Sequence, residues 1–159
     1  RCAASPTGYQ WFDLLDQSPD QILSKSLVAE SKLNELIDEV LKKNNLISNQ
    51  VIIGGFSQGC MLTLQTGIKR KDTINSIIGY SGKIINAEHL SKNLNSRPNI
   101  LLMHGEQDQI VTVDAFLEAK DFFGKNNYAI ESKLFKDCEH RIPTEGSSLG
   151  LQFIKKHFK

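Results

Sequence analysis

Gly55-Phe56-Ser57-Gln58-Gly59 matches the pattern G-x-S-x-G, in which a serine can serve as a nucleophile. An apolar, β-branched run precedes it and a helical pattern follows, so a sharp strand-to-helix turn is predicted. Such a turn strains the serine backbone and lifts its hydroxyl above the sheet. We therefore predict that Ser57 is the nucleophile and that the backbone N–H of Gln58 is an oxyanion donor. Gly55 and Gly59 are expected to prevent side-chain collisions around the turn.

A serine hydroxyl is a weak nucleophile until a histidine takes its proton and a carboxylate holds that histidine. Asp108 directly follows one predicted strand, and His140 lies in the loop after the next, so both belong to the carboxyl edge of a parallel sheet. The order serine, acid, histidine is the order of hydrolases with this elbow. We predict a triad of Ser57, Asp108 and His140.

Other acids and histidines are less suitable for the triad. Asp137 is too close to His140 in sequence to be its carboxylate partner, and Asp114 belongs to the first turn of a helix. The other histidines lie in a polar loop (His89), at the end of a strand (His104) and in the last helical turn (His157).

Other uses of these residues are less well supported. A glycine-rich turn can cradle a phosphate, but the chain has neither G-x-G-x-x-G nor a P-loop lysine here. Cys60 is predicted inside a helix, buried and without a base, whereas Cys138 borders the loop of His140 and is expected to be accessible. A metal held by His104, Asp108 and His140 is disfavoured because the chain has no helical H-E-x-x-H motif. We expect no metal and no cofactor.

Strands and helices alternate along the predicted chain, which is typical of a mostly parallel α/β sheet. The first strand is apolar enough to be buried on both faces. Helical spacing of apolar residues covers 24–44, 60–69, 113–125 and 147–158, with a short helical stretch before residue 96. Strands are predicted at 51–53, 76–80, 100–103 and 128–135.

The composition favours one domain over residues 1–159, since 40% apolar residues supply a single core. Nineteen basic and eighteen acidic residues give a net charge of +1, which favours neither nucleic acid nor a membrane surface as partner.

No apolar run reaches the ~18 to 20 residues of a membrane span, and no signal peptide is evident. Three cysteines, Cys2, Cys60 and Cys138, suit a reducing compartment, so a cytoplasmic protein is expected.

Three segments together resemble the phospholipase/carboxylesterase family of α/β-hydrolases, which includes bacterial carboxylesterases and acyl-protein thioesterases. Residues 11–13 (Trp-Phe-Asp) are similar to its W-[YF]-D signature, and residues 53–59 to its G-F-S-Q-G elbow. Residues 104–111 resemble its H-G-x-x-D-x-[IVL]-V acid loop. Glu139 stands where the family usually has glycine, and Thr112 where proline is common; neither change touches the triad.

The resemblance implies an α/β-hydrolase with a mostly parallel sheet flanked by helices. Ser57, Asp108 and His140 would be catalytic, and Gln58 would supply one oxyanion donor. The implied reaction is hydrolysis of carboxylic esters or thioesters through an acyl-enzyme. The implied substrates are small-molecule or lipid acyl esters, with acylated proteins as a further class.

The family also begins with further strands and an H-G-x-G loop that donates a second oxyanion N–H, and nothing before Trp11 matches them. His104-Gly105 is no substitute because it precedes the acid. We therefore expect this chain to be the C-terminal part of the domain, with the first strands of the fold missing. Residues 51–53 would then form an unpaired apolar edge, and the stretch alone would show little esterase activity.

Two alternatives remain open at the level of sequence. The chain could be a non-catalytic hydrolase-like module that binds a partner, since fold does not fix function. It could also be a dienelactone-type or peptidase-type hydrolase with the same triad. Leu14, Leu15 and Ile110 are candidates for shaping an acyl pocket, and a homodimer is compatible with the sequence.

Overall fold

The structure, a computed structural model, describes residues 8–14 and 18–158. Within these residues a short 3₁₀ turn precedes the first strand, and helices and strands then alternate. The helices are α1 (Pro19–Asn44), α2 (Gln58–Lys69), α3 (Ala87–Ser91), α4 (Val113–Lys125) and α5 (Thr144–His157). The strands are β1 (Ile52–Phe56), β2 (Ser76–Tyr80), β3 (Asn99–Gly105) and β4 (Ile130–Phe135).

The four strands form one sheet in the order β1-β2-β3-β4, and every neighbouring pair is parallel. The predicted α/β architecture, a parallel sheet flanked by helices, is confirmed. All strands therefore end at the same edge, where Phe56 pairs with Tyr80 and Tyr80 with Met103. The loops that follow β1, β3 and β4 meet at that edge.

The core lies on both faces of the sheet, because neighbouring residues of a strand point to opposite faces. Ile77 and Ile100 face α2 and α4, whereas Ile78 and Leu101 face α5. All four side chains are buried. The apolar runs of β2 and β3 thus follow from their burial between two helical layers.

Strand β1 does not have the burial predicted for it. It pairs only with β2 among the described strands, and Ile52 and Ile53 are half-buried rather than buried. The expectation that it is covered on both faces is wrong for this structure. Its free edge agrees with the exposed apolar edge expected from the family resemblance.

Helix α1 begins five residues before the predicted start. Ser18 accepts a hydrogen bond from the backbone N–H of Gln21, whose side chain accepts one from the Ser18 N–H, and Pro19 occupies the first turn. This capping box with an early proline is a known start signal that apolar periodicity does not register. The helix ends at Asn45, whose φ of 52° is left-handed.

The remaining boundaries differ less. Strand β2 and helix α4 have the predicted bounds, while β3 continues through His104 to Gly105 and α5 begins at Thr144. Strand β4 begins at Ile130, because Tyr128 leaves the strand and donates its hydroxyl to the Ser96 carbonyl. No helix in the described parts of the chain is both long and apolar enough to cross a bilayer.

Candidate active site

Ser57 occupies the turn between β1 and α2 in a strained backbone conformation. Its φ of 54° and ψ of −119° are unusual for a residue with a Cβ. Its N–H donates to the Tyr80 carbonyl at 2.8 Å, and its own carbonyl accepts from the Met61 N–H at 3.1 Å. These bonds hold the turn from both sides. Gln58 is the first residue of α2, so its N–H has no acceptor within the helix and can serve an anion.

The two glycines of the elbow play different parts. A Cβ on Gly55 would come within 2.3 Å of the Gly59 carbonyl group and 2.6 Å of the Cys60 nitrogen, so only glycine fits. A Cβ on Gly59 would meet no described atom within 4 Å beyond its chain neighbours and the backbone of its own helix. The expected collision is found at Gly55, and at Gly59 the expectation is wrong for the described residues. Gly59 instead lines an open cavity beside Trp11.

The structure brings Ser57, Asp108 and His140 together. The His140 Nε2 lies 2.9 Å from the Ser57 Oγ, and its Nδ1 lies 2.7 Å from the Asp108 Oδ2. With the proton on Nδ1 donated to the carboxylate, Nε2 is free to accept from the serine hydroxyl. The ring centroids of Phe56 and His140 lie 4.7 Å apart, so the elbow also packs against the imidazole. The imidazole side chain is 19% exposed, whereas the Asp108 side chain is fully buried.

Asp108 is held in its ionised form by its hydrogen bonds. Burial by itself raises the pKa of this carboxyl group, but hydrogen bonds from His140 and from the backbone of Val111 and Ile110 outweigh it. The pKa therefore lies below its ordinary value. The Oδ1 accepts the N–H groups of Ile110 and Val111, each at 2.9 Å, which leaves Oδ2 for His140.

The loop of His140 is fastened to the end of β3. A Cβ on Gly105 would come within 2.1 Å of the Cys138 carbonyl oxygen, so glycine allows the two chains to touch. The Gln107 N–H donates to that same carbonyl at 3.0 Å, and its side-chain amide donates to Asp137 at 3.0 Å. Asp137 therefore fastens the loop and does not contact the imidazole as the acid. These contacts hold the loop in the position where His140 reaches Asp108.

His104 is a neighbour of the site for which the sequence predicted no role. Its side chain is buried, with Nε2 2.8 Å from the Val111 carbonyl oxygen and 3.5 Å from the Asp108 Oδ2. Since a carbonyl only accepts, the ring donates from Nε2. The bond fastens the turn whose N–H groups hold Asp108. The i,i+4 spacing of His104 and Asp108 was the available signal.

The side chain of Gln58 has a role that its place in the motif does not reveal. Its Oε1 accepts the Trp11 N–H at 2.7 Å, and its Nε2 donates to the Phe12 carbonyl at 2.5 Å. The side chain therefore pairs with the backbone of the Trp-Phe-Asp segment. One residue thus presents a backbone N–H to the site and fastens a segment 46 residues earlier.

A cavity of about 330 Å³ opens beside Ser57. Its walls are mostly apolar, with side chains from the segment before α1, from α2 and from the acid loop. Leu14 and Ile110, both predicted pocket residues, line it, whereas Leu15 lies outside the described residues. Its other apolar walls include Ile22, Met61 and Ala115.

The two described cysteines are free thiols and both are buried. Burial raises the pKa of the Cys60 thiol to about 12, so it is a packing residue, as predicted. Cys138 is only 2% exposed, so the expectation that it is accessible is wrong. It faces the core beside Phe135 rather than the loop surface. Cys2 lies outside the described residues.

The remaining titratable candidates have other contacts or positions: two are histidines that contact charged side chains, and one is an aspartate in the first turn of a helix. His89 is in α3, with Nε2 3.3 Å from the Lys69 ammonium, and not in a loop as expected. His157 pairs with Glu131 at 3.1 Å, and Asp114 is in the first turn of α4 as predicted. Among the described residues no group of three His, Cys, Asp or Glu could hold a metal ion.

The parallel sheet, the elbow and the carboxylate loop define an α/β-hydrolase. Residues 3–158 match the family model described as Phospholipase/Carboxylesterase, and the chain belongs to that family.

Two curated relatives are each named acyl-protein thioesterase 1. The protein from Saccharomyces cerevisiae is 32% identical over 161 residues, which cover 92% of this chain and 67% of that protein. The protein from Kluyveromyces lactis is 28% identical, with 94% and 69% covered. The solved structure of esterase PE8 superposes with a TM-score of 0.92 at 27% identity, covering 98% of this chain and 74% of that one.

Substituting alanine at the two elbow glycines is expected to have different effects on stability. Gly55→Ala forces a Cβ against the backbone and is expected to lower the free energy of unfolding by about 3 kcal/mol or more. Gly59→Ala adds a methyl group in open space near a helix start and will leave stability unchanged or raise it by up to ~1 kcal/mol. Urea unfolding followed by circular dichroism measures both. Equal losses for the two variants would contradict the close approach at Gly55.

Proposed function

We propose that this protein is a serine hydrolase that cleaves carboxylic esters or thioesters through an acyl-enzyme intermediate. The observation that carries the proposal is the continuous hydrogen-bonded series from the Ser57 hydroxyl through His140 to a buried carboxylate. Membership in the phospholipase/carboxylesterase family supports the same reaction class.

In the proposed acylation step, Ser57 Oγ attacks the carbonyl carbon while its proton moves to His140 Nε2. Asp108 stabilises the resulting imidazolium and keeps the ring oriented. The carbonyl oxygen becomes an oxyanion, which the Gln58 N–H is placed to receive at the start of α2. When the tetrahedral intermediate collapses, the imidazolium gives its proton to the departing alkoxide or thiolate, and the acyl group remains on Ser57.

In the proposed deacylation step, a water molecule takes the position of the leaving group. His140 removes its proton as the water oxygen attacks the acyl carbon, and then returns the proton to Ser57 Oγ as the acid departs. The products are a carboxylic acid and the regenerated serine. The buried, ionised Asp108 stays unprotonated through both steps.

For substrates, we propose lipid or small-molecule acyl esters, with acylated proteins as a further class. The apolar walls of the cavity beside Ser57 suit an acyl chain, and two relatives carry the name acyl-protein thioesterase. We further propose a cytoplasmic location, which suits the free thiols of Cys60 and Cys138. Neither proposed step calls for a cofactor. The single-domain organisation and a homodimer remain proposals.

Covalent labelling tests the nucleophile directly. A fluorophosphonate probe is expected to label Ser57, and Ser57→Ala should abolish labelling. His140→Gln should slow it by roughly 10³-fold or more, because the hydroxyl then lacks its base. Mass spectrometry of the labelled peptide identifies the residue, and Ser91→Ala, an exposed change on α3, serves as the matched control. A folded, unlabelled wild-type protein would favour the non-catalytic binding module instead.

His104 is expected to act as a positioning residue. His104→Leu removes the donor to the Val111 carbonyl, loosens the turn around Asp108 and should lower kcat about 10-fold with little change in KM. His104→Gln retains an N–H donor and should recover much of that loss. Steady-state kinetics on a 4-nitrophenyl ester measures the effect, and thermal unfolding shows whether each variant is folded. Equal kcat values for folded Leu and Gln variants would contradict this role.

The second oxyanion donor is proposed to lie outside this chain, as the family resemblance implies. The curated relatives are longer, since the matched region covers 67% and 69% of them. Loss of one donor typically costs ~10²- to 10³-fold in turnover. The isolated stretch should therefore be slower by that factor than a version extended by the native upstream sequence. Ester hydrolysis by both versions, normalised to labelled serine, measures the ratio, and equal rates would refute the proposal.

A further inference from the structure

One cation stands at the cavity beside the proposed nucleophile. Lys83 follows β2 and lines the same cavity as Ser57, in which the other described lining side chains are apolar or hydroxyl-bearing. No described carboxylate lines that cavity. A mostly apolar cavity with a single described cation suits a ligand that has an apolar part and an anionic part.

The backbone before Lys83 is fixed against the elbow. Ser81 has a left-handed φ of 48°, and its N–H donates to the Met103 carbonyl at 2.9 Å. A Cβ on Gly82 would come within 2.5 Å of the Cys60 side chain and 3.0 Å of the Ser57 carbonyl oxygen. Gly82 thus lets this loop touch the elbow, and the next residue is necessarily beside it. The position of Lys83 is set by the same packing that holds the serine.

Lys83 also lacks a partner in the described chain. Lys69 binds Glu30 at 2.8 Å, Lys156 binds Glu131 at 2.8 Å, and Lys133 lies 3.4 Å from Glu145. Lys83, by contrast, makes no hydrogen bond and no ion pair with any described residue, and it is exposed. Its ammonium group is therefore available to a ligand in the cavity.

We propose that Lys83 selects substrates that carry a carboxylate or phosphate group near the scissile bond. The inference rests on the proposed ester or thioester hydrolysis and adds a substrate class to it, namely anionic acyl esters. Lys83 is a binding and specificity-determining residue, and its ammonium group takes no part in proton transfer. Attraction between partly exposed charges changes kcat/KM by about 5-fold. Salt at ~1 M, where the Debye length is about 3 Å, should weaken the preference.

Paired substrates test the proposal and locate the anion. In the acyl arm, the 4-methylumbelliferyl monoester of adipic acid is compared with the ester of hexanoic acid. In the alcohol arm, the hexanoate of 4-hydroxyphenyl phosphate is compared with that of its neutral dimethyl ester. The measured quantity in each arm is the ratio of kcat/KM, anionic over neutral, for wild type and variants, so that intrinsic reactivity cancels.

In at least one arm, Lys83→Met should lower this ratio about 5-fold and Lys83→Glu should lower it further, whereas Lys83→Arg should keep it within twofold. Lys120→Met, on the exposed surface of α4, is the matched control and should leave the ratio unchanged. A fall in the acyl arm assigns the anion to the acid part, and a fall in the alcohol arm assigns it to the leaving group.

Two failures can be told apart. If the esters are hydrolysed but Lys83→Met leaves both ratios within twofold of wild type, the substrate inference is overturned and the hydrolase proposal stands. If turnover is too slow to measure, labelling of Ser57 by fluorophosphonates with carboxylate-ended and methyl-ended chains supplies the same ratio. If neither turnover nor labelling occurs in the folded protein, the hydrolase proposal fails and the inference falls with it.

Discussion

The candidate site depends on the contact between the end of β3 and the loop that carries His140. Gly105 lies so close to the Cys138 carbonyl that a Cβ there would come within 2.1 Å of its oxygen, and the Gln107 N–H bonds the same carbonyl. This contact adds to the burial of Cys138 and the Gln107–Asp137 hydrogen bond, which also hold the loop of His140. With it, the loops that carry Asp108 and His140 are joined backbone to backbone, next to the 2.7 Å contact between the two side chains.

Much of this arrangement could be predicted because it follows from chain order and strand direction. Parallel strands end at one edge, so Ser57, Asp108 and His140 could be assigned to that edge from the strands that precede them. Regular elements with clean periodicity, such as α4, were predicted at their observed bounds. Contacts made across the fold could not be predicted in this way. The bond from His104 to the Val111 carbonyl and the burial of Cys138 depend on side-chain directions that periodicity does not specify.

The two sides of the site differ in their surroundings. Asp108 is fully buried, with one oxygen given to backbone N–H groups and the other to His140, so burial and hydrogen bonding set its charge together. The serine side lies next to β1, which has a free edge among the described strands and no fully buried residue. On the same side, a Cβ on Gly59 would meet no described atom within 4 Å beyond its chain neighbours and the backbone of its own helix. Asp108 is therefore enclosed by this chain to a greater degree than the elbow is.

Gln58 connects the turn that carries Ser57 to the segment before α1, which forms part of the cavity wall. Its backbone N–H is at the start of α2 beside Ser57, and its side-chain amide bonds the backbone of Trp11 and Phe12. Phe12 is two residues before Leu14 in the cavity wall. An amide is well suited to this task, because it pairs with a backbone N–H and a backbone C=O at once, whereas a carboxylate could only accept and an ammonium group could only donate. The glutamine of the elbow thus meets two constraints: the turn requires its backbone at the helix start, and the segment before α1 requires its side chain. A residue with the same backbone but an apolar side chain would keep the N–H at the helix start and lose both hydrogen bonds to the Trp11–Phe12 backbone.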